Sequence, residues 1–140
     1  MHAPTVSVLM TSYNHEQYIG AAIESVLAST FADFELIVVD DCSLDQTAAL
    51  AHQYARTDRR IHVVTNDKNL GDYPNRNQAA SYATGTYLKY LDADDLLYPH
   101  SLVTHRIFVK KRLLDALRGE ILLAVPQDMR HKERRAVVEL

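Results

Sequence analysis

The chain alternates short apolar runs with stretches of helical periodicity. Val6-Ser7-Val8-Leu9-Met10-Thr11 reads as a first strand. Ile19, Ala22, Ile23, Val26 and Leu27 then recur at the spacing of one helix face, which predicts a helix from about Glu16 to Ala28. Phe34 to Val39 is a second strand, apolar at successive positions as in a strand buried on both faces. Ser43 followed three positions later by Gln46 has the form of a capping box and opens a predicted helix to about Tyr54 or Ala55. Ile61 to Thr65 is a third strand, followed by a polar loop from Asn66 to Gly71. Asp72 is placed to cap the next helix, with Pro74 in its first turn, Ala83 near its end and Gly85 just beyond. Thr86 to Leu91 is a fourth strand. Pro99 starts a long predicted helix to about Leu117, stopped by Gly119, and Ile121 to Val125 reads as a fifth strand.

Strands alternating with helices imply a parallel sheet covered on both faces, and right-handed crossovers make it doubly wound. The fold class is therefore α/β. Two segments follow: residues 1–119 as one domain, and residues 120–140 as a short strand with a charged tail. In such sheets ligands bind beyond the carboxyl ends of the strands, where the strand order reverses.

Polar residues do gather at those ends. Thr11, Ser12, Tyr13 and Asn14 follow the first strand; Asp40, Asp41, Cys42 and Ser43 follow the second. Asn66, Asp67, Asn69, Gly71 and Asp72 follow the third, and Asp92, Asp94 and Asp95 the fourth. So many carboxylates facing one crevice repel one another, and a hard divalent cation with oxygen ligands relieves the repulsion. Asp92 and Asp94 are two apart directly after a buried strand, and continued strand geometry puts them on one side. An acidic turn ahead of the Pro99 helix is the structural alternative. Of the Asp40-Asp41 pair, Asp40 suits capping of the Ser43 helix, whereas Asp41, further out, suits a hydrogen bond from a base N–H. Arg76 near the start of the third helix can pair with a phosphate beside the free N–H groups of that terminus, or with one of the aspartates.

Composition narrows the class. At 140 residues, 47% hydrophobic and 24% charged, the chain is an ordinary globular domain or part of one. One cysteine excludes a disulfide scaffold, and Cys42 among carboxylates lacks the electropositive setting of a reactive thiol. No apolar run reaches bilayer length and no secretory leader is evident, so a cytoplasmic setting is expected. Residues 1–104 carry a net charge of −7 and residues 105–140 of +4. The body thus has no basic face for nucleic acid, while the basic segment allows peripheral contact with an acidic membrane surface. No serine-hydrolase, P-loop or dinucleotide-binding fingerprint occurs, and the seven histidines lack zinc spacing.

Four stretches carry a resemblance. Val6 to Asn14, Phe31 to Ser43 with Asp45 and Thr47, Asn69-Leu70-Gly71 with Arg76-Asn77, and Gly85 to Leu91 leading into Asp92-Ala93-Asp94-Asp95 are similar, in order, to the motifs of family 2 glycosyltransferases. The resemblance covers about residues 4–110 and implies a GT-A fold, a nucleotide-sugar donor, usually UDP-linked, and Mn²⁺ or Mg²⁺. It maps donor binding onto Thr11, Ser12, Tyr13, Asp41, Gly71, Arg76, Asp92 and Asp94, and the metal onto Asp94 and Asp95. It implies transfer to an acceptor hydroxyl, on a saccharide or lipid-linked glycan, with inversion by a carboxylate base in a later acceptor half.

That half has no recognisable counterpart. Asp115, Glu120, Asp128, Glu133 and Glu139 are the late acids, and none lies in a motif like the family's base segment. The fold is thus expected to be incomplete on the acceptor side, the chain truncated, and its exposed apolar surface prone to self-association. A nucleotide- and metal-binding chain without turnover is the alternative reading. A receiver-like signalling domain is a further one, disfavoured because Val125 is followed by Pro126 and Gln127 rather than lysine.

Overall fold

The computed structural model describes residues 2–104 and the backbone of Val109–Lys110. Four strands form a parallel sheet: β1 (Val6–Ser12), β2 (Phe34–Asp40), β3 (Ile61–Thr65) and β4 (Tyr87–Asp92). A short β5 (Val109–Lys110) pairs antiparallel with β4, so the order is β3-β2-β1-β4-β5. Helices α1 (Ile19–Leu27), α2 (Thr47–Thr57), α3 (Asp72–Tyr82) and the single turn α4 (Ser101–Thr104) complete the described elements.

The strands alternate between two cores, which is why apolar residues occur on both faces of β1 and β2. Val6, Val8, Met10, Phe34, Leu36, Val38 and Leu91 face Ile19, Ala22, Ile23 and Val26 of α1 and Ala51 of α2. Leu9, Ile37, Val39, Leu88 and Tyr90 face Ala79 and Ala80 of α3 on the opposite side. The sheet is doubly wound as expected, with its order reversing at the β1–β4 junction.

Below the sheet, buried Glu35 accepts from Ser7 Oγ at 2.5 Å, from Thr84 N at 2.8 Å and from Thr84 Oγ1 at 2.9 Å. Gly85 lies so close to β1 that a Cβ there would sit 2.7 Å from the Ser7 nitrogen. This clasp sets β4 in register beside β1.

Several boundaries differ from the sequence reading. Helix α1 begins at Ile19, not Glu16, because the N–H of Glu16 donates to Asp45 Oδ2 and its carboxylate accepts from Gln46 N. The Ser43–Gln46 capping box does not form. The Ser43 N–H and hydroxyl both donate to Asp40, and α2 starts at Thr47, whose N–H donates to Asp45 Oδ1. Asp72 is the first residue of α3 rather than its cap; Gly71 takes the cap position at φ 89°. The helix expected from Pro99 to Leu117 is interrupted: α4 is one turn, and Val109–Lys110 pair with the β4 edge, where a β-branched residue and open ladder groups favour a strand. The remainder of that helix, the strand at 121–125, the tail and the late acids lie outside the described residues.

Candidate functional site at the carboxyl ends of the strands

The β1–β4 pairing brings together residues that are about eighty apart in sequence. Thr11 stands opposite Asp92, and Ser12 opposite Asp40. Past the strand ends the Asp41 N–H donates to the Ser12 carbonyl and the Ala93 N–H to the Thr11 carbonyl. Thr11 and Ser12 are thus buried and committed to the framework, whereas Tyr13 projects its ring at 42% exposure.

The two aspartates after β2 divide their work. Asp40 is wholly buried and accepts from Ser12 Oγ, Ser43 N and Ser43 Oγ; it serves the framework but does not cap α2, which starts at Thr47. Asp41 holds the loop after β3: Oδ1 accepts from Asn66 Nδ2 and Leu70 N, each at 2.8 Å, and Oδ2 accepts from Gly71 N at 2.9 Å. A carboxylate offers about four acceptor positions, so Oδ2 has one unfilled, in a residue that is only 3% exposed. Asn66 Nδ2 also donates to Asn75 Oδ1, and Asn75 Nδ2 to the Val39 carbonyl, pinning α3 to the end of β2.

Gly71 turns the chain into α3, which carries Arg76 on its second turn. A Cβ at Gly71 would meet nothing within 4 Å, so glycine is needed there for its φ and the space beside it is open. Arg76 does pair with aspartates: Nε donates to Asp72 Oδ1 at 2.9 Å and Nη2 to Asp92 Oδ1 at 2.6 Å. Burial opposes its charge, but the Asp92 and Asp72 carboxylates overcome that and hold its pKa above the ordinary arginine value. The guanidinium lies 5.9 Å from the centre of the Tyr90 ring. Burial in turn pushes the Tyr90 hydroxyl up to about 12, against the opposing pull of the Arg76 charge.

After β4, Asp92, Asp94 and Asp95 each place a carboxylate oxygen within 4.8 Å of the others. Asp92 is half-buried, and Asp94 and Asp95 are exposed, with no hydrogen bond or ion pair to their carboxylates among the described residues. An all-oxygen, negatively charged donor set of this spacing fits a hard divalent cation and not a soft one. A cavity of about 200 Å³ opens beside the group, against Arg76, Lys89, Tyr90, Leu97 and Tyr98.

The sequence places a crowd of carboxylates at one crevice and offers Arg76 either a phosphate or one of those aspartates as partner. In the structure Arg76 takes the aspartate partner, as a counter-charge to Asp92, and Asp41 as well as Asp40 serves the framework. The structure also reveals a lacing that the sequence reading missed. The Asn14 N–H donates to Ser43 Oγ, the Leu44 N–H to Asn14 Oδ1 and the His15 N–H to Thr47 Oγ1. These bonds clamp the β1–α1 loop to the β2–α2 loop. Two residues with short polar side chains near a strand end, Asn14 and Ser43, were the available signal, but their pairing depends on β1 lying beside β2.

Residues 7–105 match the sequence profile of Glycosyl transferase family 2. The chain is 45% identical over 92 residues to TuaG of Bacillus subtilis, a glycosyltransferase assigned to teichuronic acid biosynthesis, covering 66% of this chain and 36% of that protein. It is 41% identical over 97 residues to WfgD of Escherichia coli, a UDP-Glc:α-D-GlcNAc-diphosphoundecaprenol β-1,3-glucosyltransferase, covering 69% of this chain and 38% of the relative. The chain therefore spans little more than a third of these proteins. Among solved structures, Staphylococcus aureus TarS 1–349 with UDP superposes at a TM-score of 0.66 and 33% identity, over 70% of this chain and 30% of that one. The mannosyltransferase PcManGT of Pyrobaculum calidifontis, in complex with GDP-Man and Mn²⁺, does so at 0.65 and 25% identity, over 72% of this chain and 30% of that one.

Proposed function

The chain belongs to glycosyl transferase family 2, and from that premise we propose that it forms the donor-binding part of a metal-dependent, inverting transferase that moves a sugar from a UDP-sugar to an acceptor hydroxyl. The observation that carries this reading is the placement of the Asp92–Asp94–Asp95 group at the β1–β4 junction, beside the Asp41 cradle. TarS in complex with UDP and with UDP-GlcNAc, and PcManGT with GDP-Man and Mn²⁺, support a nucleotide-diphosphate donor for this chain.

In this reading Asp41 receives the base N–H on the free position of Oδ2, while Tyr13 offers its exposed ring to the base. The Thr11–Ser12 strand end and Gly71, with no side chain to obstruct, bound the nucleotide. Asp92 and Arg76 flank the ribose and phosphates. Asp94 and Asp95 hold Mn²⁺ or Mg²⁺, which when bound stabilises the charge of the departing diphosphate. The acceptor is a saccharide or lipid-linked glycan, and none of the described residues is assigned as its base. A cytoplasmic site of action, with the basic 105–140 segment touching an acidic membrane surface, completes the proposal. No helix among the described residues is long and apolar enough to cross a membrane.

Calorimetric titration of UDP with and without Mn²⁺, with GDP and CMP as controls, tests the reading. Manganese-dependent, UDP-selective binding supports it. A folded chain that binds no nucleotide refutes it, and binding without transfer in the presence of candidate acceptors favours the binding-only alternative.

A further inference from the structure

We propose that Arg76 is a positioning residue that holds the Asp92 carboxylate in its group with Asp94 and Asp95, so that the three offer their oxygens to one cation. This inference rests on the metal reading above, adds Asp92 to the Asp94–Asp95 pair as a cation ligand, and gives Arg76 a role besides its donor contact. Arg76 has two fixed tethers. Its Nε–H is engaged by Asp72, one turn earlier on α3, and its Nη2–H reaches Asp92 at the end of β4. The guanidinium is planar, so fixing one N–H fixes the direction of the others. Its side chain is 13% exposed and lies beside the Tyr90 ring. Helix α3 is itself referenced to the end of β2 through Asn75 and through the Leu70 and Gly71 N–H groups on Asp41. Asp92 is therefore located by a chain of contacts that starts on another strand. Asp94 and Asp95 have no comparable tether among the described residues.

Charge and position make opposite predictions. A guanidinium 2.6 Å from Asp92 Oδ1 repels an incoming cation, so if its charge alone mattered, removing it would tighten metal binding. If it positions Asp92, removing it lets that carboxylate turn away from two like charges that lie within 4.8 Å, and binding weakens.

The test titrates Mn²⁺ alone, without nucleotide, into the unmodified chain and into Arg76→Met, Arg76→Lys and Asp72→Asn, read by Mn²⁺ electron paramagnetic resonance. Thermal unfolding of each variant checks its fold. Arg76→Met is expected to bind Mn²⁺ about tenfold more weakly, the usual scale for residues that orient metal ligands. Arg76→Lys, which keeps the charge and loses the planar fork, falls between. Asp72→Asn leaves the guanidinium in place but turns the charged tether into a weaker, neutral hydrogen bond, and a loss of about twofold is expected. Unchanged or tighter binding in a folded Arg76→Met overturns the proposal. If that variant does not fold, unchanged binding in Asp72→Asn overturns it. Failure of the unmodified chain to bind Mn²⁺ overturns the metal reading, and this inference with it.

Discussion

The backbone N–H of Gly71 donates to Oδ2 of Asp41 at 2.9 Å, joining the end of β2 to the residue that turns the chain into α3. With the Leu70 N–H and the Asn66 side chain on Oδ1, this makes Asp41 the anchor of the whole loop after β3. A residue singled out as a base contact is therefore also a structural one.

Asp41→Asn is expected to lower stability by about 1–3 kcal/mol, because an amide NH₂ would face N–H donors where an acceptor is required. UDP affinity should fall in the same variant even under conditions where it is fully folded. Urea unfolding paired with UDP titration measures both; full retention of UDP binding by folded Asp41→Asn would contradict the base-contact assignment.

Gly71 and Gly85 should fail for different reasons. Gly71→Ala meets no atom but must adopt a φ of 89°, at a cost of about 1–3 kcal/mol. Gly85→Ala presses a Cβ against the Ser7 backbone, so β1 or β4 must shift. Nucleotide affinity per folded molecule should drop for Gly71→Ala, which lies in the site, and hold for Gly85→Ala, at the opposite pole. Thermal melts with and without UDP separate the two.

Asp94→Ala and Asp95→Ala should leave stability within about 0.5 kcal/mol of the parent, since neither carboxylate has a protein partner among the described residues. Both should lose Mn²⁺ binding. Denaturation midpoints and Mn²⁺ titration on the same preparations check the dissociation of stability from binding; a large loss of stability would mean that these acids serve the fold.

Tyr90 predicts an alkaline transition. Its folded pKa of about 12 lies above the ordinary value of 10.0, so its contribution is complete below pH 10 and is lost as pH rises through 12. The two-unit difference corresponds to about 3 kcal/mol. Urea midpoints of the parent should therefore fall relative to those of Tyr90→Phe between pH 10 and 12. Parallel curves for the two across that interval would show that Tyr90 ionises as freely folded as unfolded.

The strands and their polar ends were legible because burial on both faces demands apolar-rich runs, and that demand is written locally in Val6–Met10 and Phe34–Val39, where only Ser7 and Glu35 interrupt. Ile61–Thr65 emerged with its boundaries intact. Helix starts were less legible. Ser43 and Gln46 have capping-box chemistry, but Asp40 claims the serine, and Glu16 leaves helical periodicity to bridge to the next loop. Such competition between local and distant partners has no local signature.

A doubly wound α/β sheet and the cluster of acids and polar residues at its carboxyl ends can be read from the chain alone. Which charges meet is settled by the packing of the elements. Arg76 had several aspartates within plausible reach; its choice of Asp72 and Asp92 follows from β4 lying beside β1 and α3 packing on the face that carries Tyr90. Apolar periodicity is a property of neighbours along the chain and survives in one dimension. Ion pairing and acceptor occupancy depend on distances between segments, and those exist only once the strand order is set.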